Sequence, residues 1–239
     1  MYKGWIAISI VVVVAAYCIA DFIYKRTTYA HITHISLLQM LFDAGNRGEF
    51  NIFQELSFLE KKGGRFLFNV YLPYKDGTTE IDVLLLYSSG VYVFESKNYS
   101  GWIFGSADSR MWTQSLPQGK GRSSHKEKFL NPIFQNALHL RQLKTFCESD
   151  DLSCYSFVVF SDGCTLKSQI DAVPPVYVCH TGELVDVFIR THQASTVHLT
   201  EERIQTLYDL LYPRSQCTEQ EKQMHIDFLK QRHSDHDSK

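Results

Sequence analysis

TTEIDVLLLYSSGVYVFESKN, residues 78–98, decides how the rest of the chain is read. Two apolar runs flank a Ser-Ser-Gly turn, the signature of a β-hairpin. Asp82, Glu95 and Lys97 are set into these runs. A carboxylate inside a buried strand is costly unless something compensates it. Side chains alternate faces along a strand, so Glu95 and Lys97 share one face. A two-residue loop at Ser88-Ser89 sets Asp82 opposite Glu95; one at Ser89-Gly90 sets it opposite Lys97. Either loop gathers all three groups on one face.

Opposed side chains in an antiparallel pair have Cβ atoms about 4.5–5.5 Å apart. Two carboxylates that close repel unless a divalent cation sits between them. Mg2+ (or Mn2+) suits such a site, taking one or two carboxylates, water and phosphate oxygens. Lys97 can then position or help deprotonate an attacking water, or stabilise charge developing on phosphate. Taken alone, the three residues also fit a structural ion-pair set on a solvated sheet face.

Asp82 followed by Glu95-Ser96-Lys97 resembles the metal-binding core of the PD-(D/E)xK nucleases. The wider pattern is similar to the nuclease-related domain (NERD) family. It comprises Gly48-Glu49 opening a helix, Glu80-Ile81-Asp82, Phe94 to Asn98, Gly101 to Gly105, Trp112, and Asn131-Pro132 followed by Gln135. The likeness covers roughly residues 45 to 150. It implies a restriction-endonuclease-like α/β core, a mixed sheet flanked by helices. It also implies a Mg2+ (or Mn2+)-dependent nuclease acting on DNA. Asp82 and Glu95 would hold the metal, Lys97 would assist water or charge, and Glu49 and Gln135 would support them. Ile81 precedes the aspartate where the superfamily name has proline. Ser96 stands where an apolar residue is usual, which weakens packing on the opposite strand face.

The whole chain has 239 residues, 44% of them hydrophobic and 13% aromatic, enough for a real core. A net charge of −2 gives no global attraction to nucleic acid, so any phosphate-binding surface must be local. The six cysteines include no Cys-x-x-Cys pair and read as free thiols in a reducing compartment. Gly4 to Tyr24 is a strongly apolar stretch whose one charge is Asp21. It is long enough for a single transmembrane helix. Trp5 and Tyr24 sit at its ends, and Lys25-Arg26 follow. The positive-inside rule then faces the remaining chain to the cytoplasm. A cleaved signal peptide is the competing reading, with only a weak small-residue site at Cys18-Ile19-Ala20.

Beyond the anchor, His31 to Phe42 reads as one helix with Gly45 as its C-cap. Arg47 to Lys62 reads as a second, with Glu49 in its first turn, where a carboxylate also favours the helix dipole. Phe66 to Leu72 is a strand ended by Pro73. Trp102–Phe104 and Met111–Thr113 are short strands, with Trp112 most simply core. Ser115 to Lys128 reads as a loop carrying Lys120, Arg122, Lys126 and Lys128, a local basic surface for a phosphate backbone. An ordinary solvated loop has the same composition.

Asn131-Pro132 opens a helix, with Gln135 one turn in and able to hydrogen-bond water or phosphate. Tyr155–Phe160 and Val176–Cys179 are strands, and Thr181 caps a helix through Ile189. This rhythm gives an α/β sandwich with a mixed sheet. Glu201–Leu211 is helical, and Thr218 with Glu221 forms a capping box for a last helix to about Arg232. Ser234 to Lys239 reads as a polar, disordered tail.

The chain thus divides into a membrane anchor helix (1–26), a connecting helix (27–44), a NERD-like nuclease domain with its α/β extension (45–195), and C-terminal helices with a polar tail (196–239). Two function classes stand: a membrane-anchored metal-dependent nuclease, and a catalytically silent nucleic-acid-binding or scaffolding module at the cytoplasmic membrane face. An intact Asp/Glu/Lys set favours the first, since a scaffold has no use for it.

Overall fold

The computed structural model describes residues 2–119, 123–168, 170, 172–218, 220–225 and 227–228. Its centre is a five-stranded mixed sheet built on the hairpin. Strands β1 (Arg65–Tyr74), β2 (Gly77–Tyr87) and β3 (Gly90–Lys97) run antiparallel. Then β7 (Cys154–Phe160) and β9 (Val176–His180) continue parallel, in the order β1-β2-β3-β7-β9. Pro73, which cannot donate to a ladder, lies in the edge strand β1, where that costs nothing.

A second, four-stranded sheet was not foreseen as separate. It comprises β4 (Gly101–Phe104), β5 (Met111–Leu116), β6 (His125–Leu130) and β8 (Cys164–Leu166), ordered β6-β5-β4-β8. The expected loop over Ser115–Lys128 is therefore corrected: β5 runs on to Leu116, and residues 125–130 pair with it as an antiparallel edge strand. The lysine-rich alternation of HKEKFL hid this, because both faces of that edge strand are largely open to water. Trp112 is fully buried, stacked on Phe160 at 5.9 Å between centroids, so it is core and no base can stack on it.

The helices preceding the hairpin also differ from expectation. His31–Phe42 is not one helix: α2 (Thr28–Thr33) stops at His34, whose φ of 56° is left-handed. A new N-cap at Ser36, with Gln39 completing a capping box, then starts α3 (Leu37–Phe42). Asp43 caps α4 (Ala44–Leu56), so Gly45 lies inside that helix and is no C-cap. The chain continues to Lys62 only as a 3-10 helix. Tyr29, Phe50, Phe53, Phe66 and Phe68 form a continuous aromatic cluster joining α2 and α4 to β1.

Helix α5 (Pro132–Phe146) starts as expected, with Asn131 Oδ1 accepting from Ile133 N–H at 2.9 Å and Pro132 at the first position. Buried Asn136 pins it to the sheet, its amide donating to Val93 O at 2.9 Å and Ser156 Oγ at 2.8 Å. Next come α6 (Leu184–Ala194), preceded by a 3-10 turn beginning at Thr181, and α7 (Glu201–Leu211). The Thr218–Glu221 box is present, and residues 220–225 and 227–228 are helical. The tail from 229 lies outside the described residues.

Tyr2–Tyr24 forms helix α1, with Trp5, Ile6 and the valines 11–14 exposed to solvent. Among the described residues, no helix is long and apolar enough to cross a membrane. The side chains of residues 2–4 and 7 of α1 lie outside the described residues. All six cysteines are free.

Candidate active site

Pairing between β2 and β3 begins at Tyr87↔Gly90 and ends at Val83↔Phe94. The turn is therefore Ser88-Ser89, and the register sets Asp82 beside Glu95. Beyond that pair the sheet forks. The first half of β2 stays with β1, while Glu95, Ser96 and Lys97 stay with β7. A side chain closes the fork: Asp82 Oδ2 accepts the Ser96 backbone N–H at 2.8 Å.

The fork opens into a cavity of about 390 Å³. Glu80 and Asp82 come from one prong, Glu95 and Lys97 from the other. Gln135, Leu138 and His139 of α5, Gly45 and Glu49 of α4, and Leu130 and His225 also line the cavity. The structure thus gathers Asp82, Glu95, Lys97, Gln135 and Glu49 around one space. Close approach of α4 to β3 makes this possible: a Cβ on Gly48 would collide with Ser96 Oγ and press on Asn98 Cβ. The small residue at 96, unexpected in its pattern, accommodates that helix.

Glu95 is 2% exposed. Its Oε1 takes Lys97 Nζ at 2.6 Å, while Oε2 has no hydrogen-bond partner among the described residues and faces His139 Nδ1 at 3.4 Å. Burial, then the charges of Glu95 and Glu49, push the Asp82 carboxyl well above its usual range, against the pull of Lys97. Burial alone would lower the Lys97 ammonium, but Glu95 and Asp82 outweigh it and hold the group charged. Burial lowers the His139 imidazole and so keeps it neutral.

Glu49 is not in the first turn of its helix, since α4 begins five residues earlier; the helix-dipole account of it fails. It is buried, with Oε2 accepting from Tyr29 OH at 3.0 Å and both oxygens facing Asn69 Nδ2 at 3.3 and 3.4 Å. Burial and the Glu80 charge push its carboxyl up to about 8. The Asn69 amide also donates to Glu80 Oε1 at 3.2 Å, from a left-handed backbone (φ 49°) inside β1.

Sequence reasoning missed His139, Asn69 and His225. His139 lies four residues after Gln135, hence on the same helix face, and that spacing was the available signal. His225 comes from the C-terminal helical segment. It is buried, with Nδ1 2.8 Å from Thr78 Oγ1 and Nε2 3.7 Å from Glu80 Oε2; nothing local in the sequence marks it. Lys126 and Lys128 are exposed on β6. Lys120 and Arg122 lie outside the described residues.

Among the described residues, no three of His, Cys, Asp or Glu are grouped to hold a metal ion unaided. Magnesium does not require three, because water and substrate phosphate complete its shell. Glu95 Oε2, which has no hydrogen-bond partner among the described residues, and the Asp82 carboxyl beside it are hard oxygen donors of the kind it takes, so the residues present fit such an ion.

A forked α/β sheet carrying this Asp…Glu-x-Lys set places the chain with the PD-(D/E)xK-like nucleases. More narrowly, it belongs to the nuclease-related domain family, whose pattern matches residues 44–161. The match runs from the start of α4 to the end of β7, the elements that build the fork. The chain is also similar to an uncharacterised protein of Bacillus anthracis. The two are 30% identical over 187 residues, 77% of this chain and 83% of that protein. No solved structure matches.

Proposed function

We propose that the chain is a membrane-anchored, magnesium-dependent nuclease that hydrolyses phosphodiester bonds in DNA at the forked sheet. The observation that carries this reading is the Asp82–Glu95–Lys97 set around an open cavity, with Glu95 Oε2 lacking a hydrogen-bond partner among the described residues. Asp82 and Glu95 would hold the ion. When bound, magnesium (or manganese) supplies positive charge that polarises phosphate and eases deprotonation of the attacking water. Lys97, held charged by its neighbours, stabilises negative charge developing on the phosphate. Gln135 in the cavity wall can orient water or a phosphate oxygen. Glu49 keeps its proton at neutral pH, so it adds no further negative charge where phosphate must enter.

The anchor reading rests on α1. Its 23 residues span about 34 Å at about 1.5 Å per residue, against a hydrocarbon core of about 30 Å. Its exposed Ile and Val side chains need apolar cover. Asp21 is paired with Lys25 at 2.7 Å, which softens the one charge of the stretch Gly4–Tyr24.

The test is cleavage of linear, circular and single-stranded DNA by the detergent-solubilised chain with magnesium. Metal-dependent cleavage lost in Asp82→Asn supports the reading. A folded wild type that binds DNA and cleaves none of the three favours the silent binding or scaffolding module.

A further inference from the structure

The two faces of the second sheet are unlike. One packs into the molecule through Ile103 (1% exposed), Trp112 and Cys164. The other, by strand alternation, carries Trp102 and Phe104 of β4, which are 48% and 40% exposed. The register extends this outward face. Trp102 lies opposite Ser115, a small side chain that is itself buried, which lies opposite Lys126; Phe104 lies opposite half-buried Thr113, which lies opposite Lys128. Met111 and Leu130 form the next pair and are also exposed. Lys167 places its ammonium 4.9 Å above the Trp102 ring.

We propose that this face is a binding platform for single-stranded nucleic acid that leads into the fork; as a route for substrate it rests on the nuclease reading above. Three features select this occupant. Exposed aromatic rings beside lysines are the combination on which unpaired bases stack while phosphates find charge. Strands β4, β5 and β8 contain no acid. The one acid of β6, Glu127, alternates away from the lysines and sits 2.9 Å from the His125 ring. The surface is thus complementary to a polyanion. It is also continuous with the site, because Leu130, on the same strand face as Lys126 and Lys128, lines the cavity. Trp102 and Phe104 are two residues apart on a strand, about 6.7 Å. That is about twice the 3.4 Å rise of stacked bases, so the rings suit a strand drawn out of its helix. A duplex hides its base faces and cannot use them.

The test is fluorescence anisotropy of the full-length, detergent-solubilised chain with a labelled 20-nucleotide thymidine oligomer, in EDTA, over a salt series. Trp102→Ala and Phe104→Ala are each expected to weaken binding about 5- to 150-fold, the range for one stacked base, without changing the salt slope. Trp102→Leu, which keeps apolar bulk and loses the ring, is expected to show the same loss with normal unfolding. Lys126→Gln with Lys128→Gln should instead flatten the slope by about 0.7 for every phosphate that is no longer neutralised. Equal affinity in wild type and both Trp102 variants would overturn the platform. So would a concentration-dependent dimer that Trp102→Ala converts to monomer, which would assign the face to a second copy of the chain. The claim is separable from the catalytic one: ring-dependent binding by a wild type that cleaves nothing would sustain the platform alone.

Discussion

Ser96 donates its backbone N–H to Asp82 Oδ2 at 2.8 Å across the point where β2 and β3 separate. A side chain here takes the place of the next ladder bond. The hairpin can therefore open without leaving that N–H bare, and the open end becomes the cavity. Strand separation and carboxylate placement are one event in this fold.

The approach of α4 to β3 at Gly48 gives a test by sign. In an open helix, Gly→Ala stabilises by about 1 kcal/mol. Here the added methyl meets Ser96 Oγ and Asn98 Cβ. Gly48→Ala is expected to destabilise by about 1–3 kcal/mol, as overpacking does. Adding Ser96→Gly should recover part of that loss in denaturant unfolding. A stabilised Gly48→Ala would contradict the close approach.

Glu49 predicts an unusual pH dependence. Its unfolded carboxyl titrates near 4.5 and its folded one at about 8. Between those values the folded state holds the extra proton, so stability falls as pH rises. The contribution is fully present below about 4.5 and is lost through about 8. Its slope is about 1.4 kcal/mol per pH unit at most. Glu49→Gln should remove this slope in unfolding measured from pH 5 to 8. Parallel pH profiles for wild type and Glu49→Gln would place Glu49 in a more polar setting than the structure gives it.

The hairpin and its charges were legible because period-two alternation and a two-residue turn fix faces without tertiary information. The Asn131-Pro132 start was legible because capping is local. The break at His34 was not, since the apolar stripe of His31–Phe42 runs through it unchanged. Nor was β6: lysines on an exposed edge strand look like a loop, and only pairing with β5 distinguishes them. His225 joins the cavity from more than 125 residues beyond Lys97, an approach that only tertiary folding makes.

Exposed Lys126 and Lys128 should act on nucleic acid through charge alone. Replacing both by Gln is expected to weaken duplex DNA binding and reduce its salt slope by about 0.9 for each phosphate left without its lysine. Thermal unfolding should be unchanged, since neither side chain is buried. Unchanged binding at low salt would make the strand an ordinary solvated edge.

Lys25 and Arg26 after the apolar stretch Gly4–Tyr24, against Lys3 before that stretch, set the expected orientation. Protease added to intact cells should spare the C-terminal tail. Digestion of that tail from outside, or a mature N-terminus near Asp21, would contradict the anchor.

The most direct test of the fork as a metal site is thermal unfolding with and without magnesium, in wild type and Asp82→Asn. The amide keeps an oxygen for the Ser96 N–H and removes the charge that faces Glu95. Without metal, Asp82→Asn should unfold at or above the wild-type temperature. Magnesium at about one hundred times its dissociation constant should stabilise the wild type by about 2.7 kcal/mol and leave Asp82→Asn unmoved. An equal magnesium response in the two proteins, or an Asp82→Asn variant markedly less stable than wild type in EDTA, would contradict the account.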